Sequence, residues 1–396
     1  MVERARRAAF IYSTQLERYA YPPGFPLVVQ RAKKAYDLLK SMGLLDAGSV
    51  VAPRSASREE LENFHSRRYL AALQRAAKGE MTADASRMGL GTPDCPIFGD
   101  MYDVSVWACG ATLTGAALIL SGAAEIVFNP FGGFHHAKAE KAAGFCYLND
   151  MVLGCMALSR GGKRVLYLDL DAHHGDGVQE AFYEKKEILA ISLHESGETL
   201  FPGTGAVDEI GAGDGLGFNV NIPLPLGTYD EAYLAVFDRI VSPLIQWYAP
   251  DAIVLELGMD ALAGDPLAHL CLTNNAYADV ISRLLRFKRP ILAAGGGGYD
   301  IEKTVRGWAL AWRIFACESC DRADASLGMG GVMLQSGEWS GGLRDRKLSI
   351  PERQRISVGT ALEATMAAVI ANVFGRHGID SPVDGSESAA ASDSDP

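Results

Sequence analysis

The chain has 396 residues, of which 48% are hydrophobic and 21% charged. That is enough apolar side chain for a large core and excludes a chain disordered throughout. Its 37 Lys and Arg against 48 Asp and Glu leave a net charge of −11, which argues against nucleic acid or an anionic membrane as the main partner, because either rewards a basic surface. Seven cysteines scattered over this length do not read as a disulfide framework, and they predict a reducing, cytoplasmic setting.

The N-terminus, "MVERARRAAFIYS", has basic residues, but its apolar stretch is too short for a secretory signal and lacks the small-residue cleavage pattern. Residues 106–124, "VWACGATLTGAALILSGAA", carry no charge. They are broken by Gly110, Gly115 and Gly122 and have no basic flank, so a buried helix is expected there rather than a membrane span.

Short apolar, β-branched runs recur along the chain: "AAFIYS" near residue 8, "EIVFNP" at 125, "RVLYLDL" at 164, "ILAISLH" at 188, "AIVLELG" at 252 and "PILAAGG" at 290. Between them lie segments with helical apolar spacing, such as "PLVVQRAKKAYDLLKSMGL" and "YDEAYLAVFDRIVSPLIQWY". The alternation predicts a single α/β domain over residues 1–380, with a mostly parallel central sheet and helices on both faces. Residues 381–396 hold four acids, no base and no aromatic, and read as a disordered acidic tail.

Each later strand is followed by polar, glycine-flanked residues: "FGGFHHA", "DLDAHHGDG", "LHESGETLFPGTG", "MDALAGD" and "GGGGYD". In a parallel sheet these strand ends share one edge, where ligands bind. Within "YLDLDAHHGDGVQEAFY", the alternation of an extended chain sends Asp169, Asp171 and His173 to one side and Leu170 and Ala172 to the other. Two carboxylates and an imidazole at a strand end suit a divalent metal. Asp171 and His173 form the natural ligand pair, and Asp260 is the third, which leaves positions open for water and substrate. Alone, any one of these residues reads as a loop cap or a satisfied core histidine. The constellation overrides that reading, since four of the eight histidines form two adjacent pairs after strands.

From about residue 10 to residue 310 the sequence resembles the histone deacetylase superfamily, metal-dependent amidohydrolases with an arginase-like fold. The resemblance rests on "GFHHAKAEKAAGFCYLND", "YLDLDAHHGDGVQEAFY", "SLHESGETLFPGTG", "GMDALAGDPLAHL" and "GGGGYD". "SLHESGETLFPGTG" and "DPLAHL" look most like the bacterial acetoin-utilisation deacetylases, which are class I-like. The resemblance implies Zn²⁺, with Fe²⁺ or Co²⁺ as other occupants, on Asp171, His173 and Asp260. It implies His135 and His136 as general base and acid, oriented by Asp169 and Asp176, with Tyr299 as oxyanion donor.

The same resemblance implies Gly144, Phe145 and Phe201 as walls of a tube around a lysine side chain, with Leu267 at its rim. Asp94 would hold substrate amides, although a turn cap is its plainer reading, and Arg31 would lie beneath the site. Asp169, Asp171, His173, Ser192 and Leu193 would bind structural K⁺, and Phe182 falls at a second K⁺ site. Glu256, Met259 and Phe134 depart from the usual pattern.

The implied activity is hydrolysis of Nε-acetyl-lysine in a protein or peptide, an acyl-CoA synthetase being one such substrate, without nucleic-acid or membrane partners. An acetylpolyamine amidohydrolase and a longer-chain lysine deacylase are the alternatives. A non-catalytic reader is disfavoured because the full residue set is present. The sequence assigns no oligomeric state and no role to residues 315–345, where "CESC" (Cys317 to Cys320) has metal-ligand spacing but lacks a second such pair.

Overall fold

Val165 and Tyr167 enter one apolar cluster while Leu166 and Leu168 enter another. The two-residue period of an extended chain gives that division wherever both faces of a sheet are covered. The computed structural model describes residues 6–27, 30–317 and 342–380. Its strands are β1 (Ala8–Ile11), β2 (Val50–Val51), β3 (Ile126–Asn129), β4 (Val165–Asp169), β5 (Ile188–Glu195), β6 (Asn219–Leu224), β7 (Ala252–Glu256) and β8 (Ile291–Ala294). All pair in parallel in one sheet of order β2-β1-β3-β8-β7-β4-β5-β6.

The six expected strands form at the expected places, and β2 and β6 are additions. β2 is only two residues long. β6, "NVNIPL", interleaves Asn219, Asn221 and Pro223 with its apolar residues, so it does not read as a buried strand. It lies at the sheet edge, the place where a proline without an N–H is tolerated.

Helices Gln30–Ser41, Asn274–Arg286, Ile301–Ala316 and Glu352–Val369, with residues 230–248, cover one face. Met101–Leu120, Asp150–Arg160 and Asp176–Phe182 cover the other. Met101–Leu120 takes in residues 106–120 of the uncharged stretch noted above, and it packs on β3, β8 and Asp150–Arg160 as a core helix. The indoles of Trp308 and Trp312 are fully buried, and each donates to a main-chain carbonyl, Leu257 and Leu44 respectively. The acidic tail at 381–396 lies outside the described residues. Cys317 closes helix Ile301–Ala316 and is disulfide-bonded, whereas Cys95, Cys109, Cys146, Cys155 and Cys271 are free.

Between β3 and β4 the chain passes over the positions of β8 and β7. The order of connection reverses there, and the loops after β3, β4, β5, β7 and β8 meet at one edge of the sheet.

Candidate active site

β4 ends at Asp169. Beyond it Leu170 and Ala172 enter the apolar cluster, and Asp171 and His173 turn to the opposite side. Asp260 arrives from the loop after β7, and the ligand atoms of these three buried residues lie within 4.8 Å of one another. His173 Nδ1 is 3.1 Å from Asp171 Oδ1 and 3.0 Å from Asp260 Oδ2. The other carboxylate oxygens are held by main chain: Gly297 N–H donates to Asp171 Oδ2 and Ala172 N–H to Asp260 Oδ1, each at 2.8 Å.

Each carboxylate therefore keeps one oxygen directed at the point that His173 Nδ1 faces. A side chain at residue 297 is excluded, since a Cβ there would fall 2.1 Å from Asp260 Oδ2. Burial, and then the charge of Asp171, pushes the Asp260 carboxyl up to about 7. Two buried acids at this separation disfavour joint ionisation unless a cation lies between them. Two oxygens and one imidazole nitrogen in a buried cluster fit a divalent ion such as Zn²⁺, with coordination left for water and substrate.

The loop after β3 carries the paired histidines. His135 Nδ1 lies 2.9 Å from Asp169 Oδ2, and His136 Nδ1 lies 2.8 Å from Asp176 Oδ1. A carboxylate at Nδ1 places the hydrogen there and leaves Nε2 to work. The two Nε2 atoms are 3.0 Å apart, so one further proton at most is shared between them. Burial, then the neighbouring His135, lowers His136 to about 4. Burial also opposes charge on His135, but Asp169 and Asp171 outweigh it and raise its pKa.

A cavity opens on this array, and His135, His136, Gly144, Phe145, Asp171 and Tyr299 are among its walls. Gly144 has φ +54°, and a Cβ there would lie 2.3 Å from His136 Cδ2 and 2.9 Å from Phe201 Cε1. The Phe201 ring meets His136 edge-on at 5.1 Å, and Phe145 meets Tyr299 in the same way at 5.8 Å. Asp94 accepts the Gly144 N–H at 2.9 Å, so one of its oxygens serves as a loop cap. Leu267 is half-buried next to Asp265, and neither it nor Phe201 is among the residues that line this cavity, Phe201 standing at its side against His136 and Gly144.

Arg31, buried on helix Gln30–Ser41, donates to the carbonyls of Gly298 at 2.6 Å and Gly296 at 2.9 Å and lies over the Trp308 ring. It therefore holds the loop that presents Tyr299 while facing the same cavity. The residues matched to a K⁺ site gather where β4 and β5 pair, with Asp169 opposite Ser192. The Ser192 hydroxyl is 2.8 Å from His194 Nδ1. Phe182 is buried at the end of helix Asp176–Phe182, in the other core cluster.

Several supporting residues escaped the sequence reading. Asp150 accepts the N–H groups of Gly133 and Phe134, and Asn149 donates to the carbonyls of His135 and Ala137, which together fix the tandem-histidine loop. Asp265 accepts the Tyr299 N–H at 2.8 Å. Lys138 reaches Asp176 at 3.3 Å and Glu180 at 3.1 Å. All of them lie in the quoted motifs, yet spacing alone does not reveal a side chain that works through a neighbouring main chain. Glu256 is buried in register with Asp169, and neither of its carboxylate oxygens has a hydrogen-bond partner among the described residues.

Residues 25–315 match the family model described as the histone deacetylase domain. The acetoin utilization protein AcuC of Bacillus subtilis is 39% identical over 315 residues, which cover 78% of this chain and 81% of that protein. Histone deacetylase RPD3 of Saccharomyces cerevisiae is 37% identical over 308 residues, covering 77% and 71%. The crystal structure of an HDAC homolog from Aquifex aeolicus aligns with a TM-score of 0.81 at 31% identity, over 91% of this chain and 99% of that one. With its single α/β domain and a buried Asp–His–Asp cluster of the kind that can hold a metal ion, the chain belongs to the histone deacetylase family and is a hydrolytic deacetylase.

Proposed function

We propose that the chain is a zinc-dependent lysine deacetylase that hydrolyses Nε-acetyl-lysine in a protein or peptide to lysine and acetate. The observation that carries this reading is the meeting of the Asp171, His173 and Asp260 cluster with two carboxylate-backed histidines at one cavity wall. Zn²⁺, when bound there, supplies a Lewis acid for the amide carbonyl and activates water.

The chain's own residues then divide the remaining work. Water adds its oxygen to the acyl carbon, its proton passes to Nε2 of one histidine of the pair, and the C–N bond breaks as a proton is delivered to the departing amine. Asp169 and Asp176 hold the two rings in the tautomer that exposes Nε2. The Tyr299 hydroxyl donates to the developing oxyanion. Phe145 and Phe201 flank the lysine methylenes, a contact suited to aromatic faces. Arg31 offers the departing acetate a cation beneath the site.

Asp169, Ser192 and the main-chain oxygens of Asp171, His173 and Leu193 form the proposed K⁺ site. We infer an acyl-CoA synthetase or another metabolic enzyme as the natural protein substrate, an inference that rests on the resemblance of "SLHESGETLFPGTG" and "DPLAHL" to the acetoin-utilisation deacetylases. The test is acetate release by purified, zinc-loaded protein from an acetyl-lysine peptide and, separately, from acetylspermidine. Release from the peptide alone supports this reading. Release confined to acetylspermidine replaces it with polyamine hydrolysis.

A further inference from the structure

Phe201 is 46% exposed yet stands edge-on to His136 at 5.1 Å and to His173 at 6.5 Å. An aromatic with that much surface in water is held in place by its loop more than by packing around it. The downstream half of the loop is tied to the buried layer beneath: Thr204 Oγ1 lies 2.9 Å from His174 Nδ1, and the Gly205 carbonyl lies 3.0 Å from His194 Nε2. The upstream half is tied in another way.

The Thr199 hydroxyl, two residues before Phe201, lies 3.1 Å from Glu195 Oε1 and 3.0 Å from the Ser196 carbonyl, and its one proton is shared between these acceptors. Glu195 ends β5, its side chain has no exposed surface, and its own N–H donates to the carbonyl of Ala172 beside His173. The same carboxylate accepts twice from His269. The main-chain N–H reaches Oε2 at 2.7 Å, and ring Nδ1 reaches Oε1 at 2.9 Å. His269 lies on the loop that follows Asp260, and its carbonyl accepts the N–H of Gly227 from the loop after β6. One buried carboxylate therefore joins the Phe201 loop to the Asp260 loop, with His269 as the bridging residue.

A buried carboxylate depends on its donors, and removing one leaves charge without compensation. The outer edge of the imidazole is in water, the side chain being 62% exposed, so the contact is a surface latch rather than a core contact. We propose that His269 is a positioning residue for substrate: through Glu195 and Thr199 it latches the wall that Phe201 contributes to the acyl-lysine tube. The inference rests on the lysine deacetylase reading of the same cavity.

The experiment pairs steady-state kinetics on an acetyl-lysine peptide with hydrogen exchange at amides 197–203 of the zinc-loaded protein. His269→Ala raises KM roughly 10-fold with kcat within about 2-fold, as a displaced substrate wall should, and speeds exchange across the segment. His269→Asn, whose amide nitrogen replaces Nδ1 as donor, restores most of both. Phe201→Ala raises KM by itself, and adding His269→Ala to it changes little, the non-additivity expected of coupled residues. Unchanged exchange and KM in His269→Ala overturn the latch, as does a KM effect that simply multiplies with that of Phe201→Ala. A parent protein that hydrolyses no acetyl-lysine peptide overturns the reading of the cavity instead, while exchange still decides whether the latch exists.

Discussion

Nε2 of His135 lies 3.0 Å from Nε2 of His136, and each ring is backed at Nδ1 by its own buried carboxylate. This arrangement fixes both tautomers without help from the substrate. Asp169→Asn replaces an acceptor with an amide that can donate to His135 Nδ1, and the ring then loses the hydrogen that keeps Nε2 free. The expected outcome is a fall in kcat of at least roughly 10²-fold, with metal content unchanged, as read by elemental analysis of the same sample. A variant of normal rate would remove His135 from the chemistry.

Asp171→Ala and His173→Ala should lose metal and activity together, because each removes one of the three protein donors found among the described residues. Chelation of the parent should do the same and be reversed by Zn²⁺. The melting temperature should rise on metal addition in the parent alone, since an ion that binds only the folded state stabilises it by mass action.

Tyr299→Phe keeps the ring that faces Phe145 and His173 and removes one hydroxyl. Loss of a single oxyanion donor should lower kcat by about 10²-fold, with stoichiometric metal and little change in melting temperature. Turnover at the parent rate would assign the oxyanion to other groups.

Gly144→Ala places a methyl group 2.3 Å from the ring of His136, at a backbone φ of +54°. The ring must shift, and the left-handed conformation adds about 1 kcal/mol of strain. A loss of kcat/KM of about 10-fold or more is expected with metal retained, which kinetics on the acetyl-lysine peptide would read.

Glu256 predicts a pH signature. Burial, outweighing its attraction to His135, pushes its carboxyl well above the usual range, so the folded state binds this proton more tightly than the unfolded chain does. Stability attributable to this group is therefore retained below the unfolded pKa near 4.3 and declines as pH rises above it. Glu256→Gln lacks the titration. Its melting temperature in chelator should exceed that of the parent by a margin that widens from about pH 5 to about pH 8. A margin independent of pH would show that the carboxyl has found a compensating partner.

The parts of this molecule legible in its sequence are those where one residue reports its own surroundings. Leu166 and Leu168 alternate with Val165 and Tyr167, and that period marks a strand covered on both sides. Asp171 and His173 stand two apart at its end and so share a side. β6 was not legible, because Asn219 and Asn221 look solvated yet donate within the fold to Gln179 and Glu209. The Glu195–His269 pair was hidden for a different reason: its members are 74 residues apart in the chain, and nothing local to either announces the other. Asp94 reads from its sequence as a substrate contact or a turn cap; one of its oxygens accepts the N–H of Gly144, 50 residues further along the chain, a partner that no local pattern announces.

The most direct test of the account is titration of Zn²⁺ into metal-free protein while acetate release from an acetyl-lysine peptide is followed. Release that rises to a plateau at one ion per chain, and that is absent at every metal concentration in Asp171→Ala, is the predicted result. Zinc bound at one ion per chain without acetate release, or release that persists in Asp171→Ala, would contradict it.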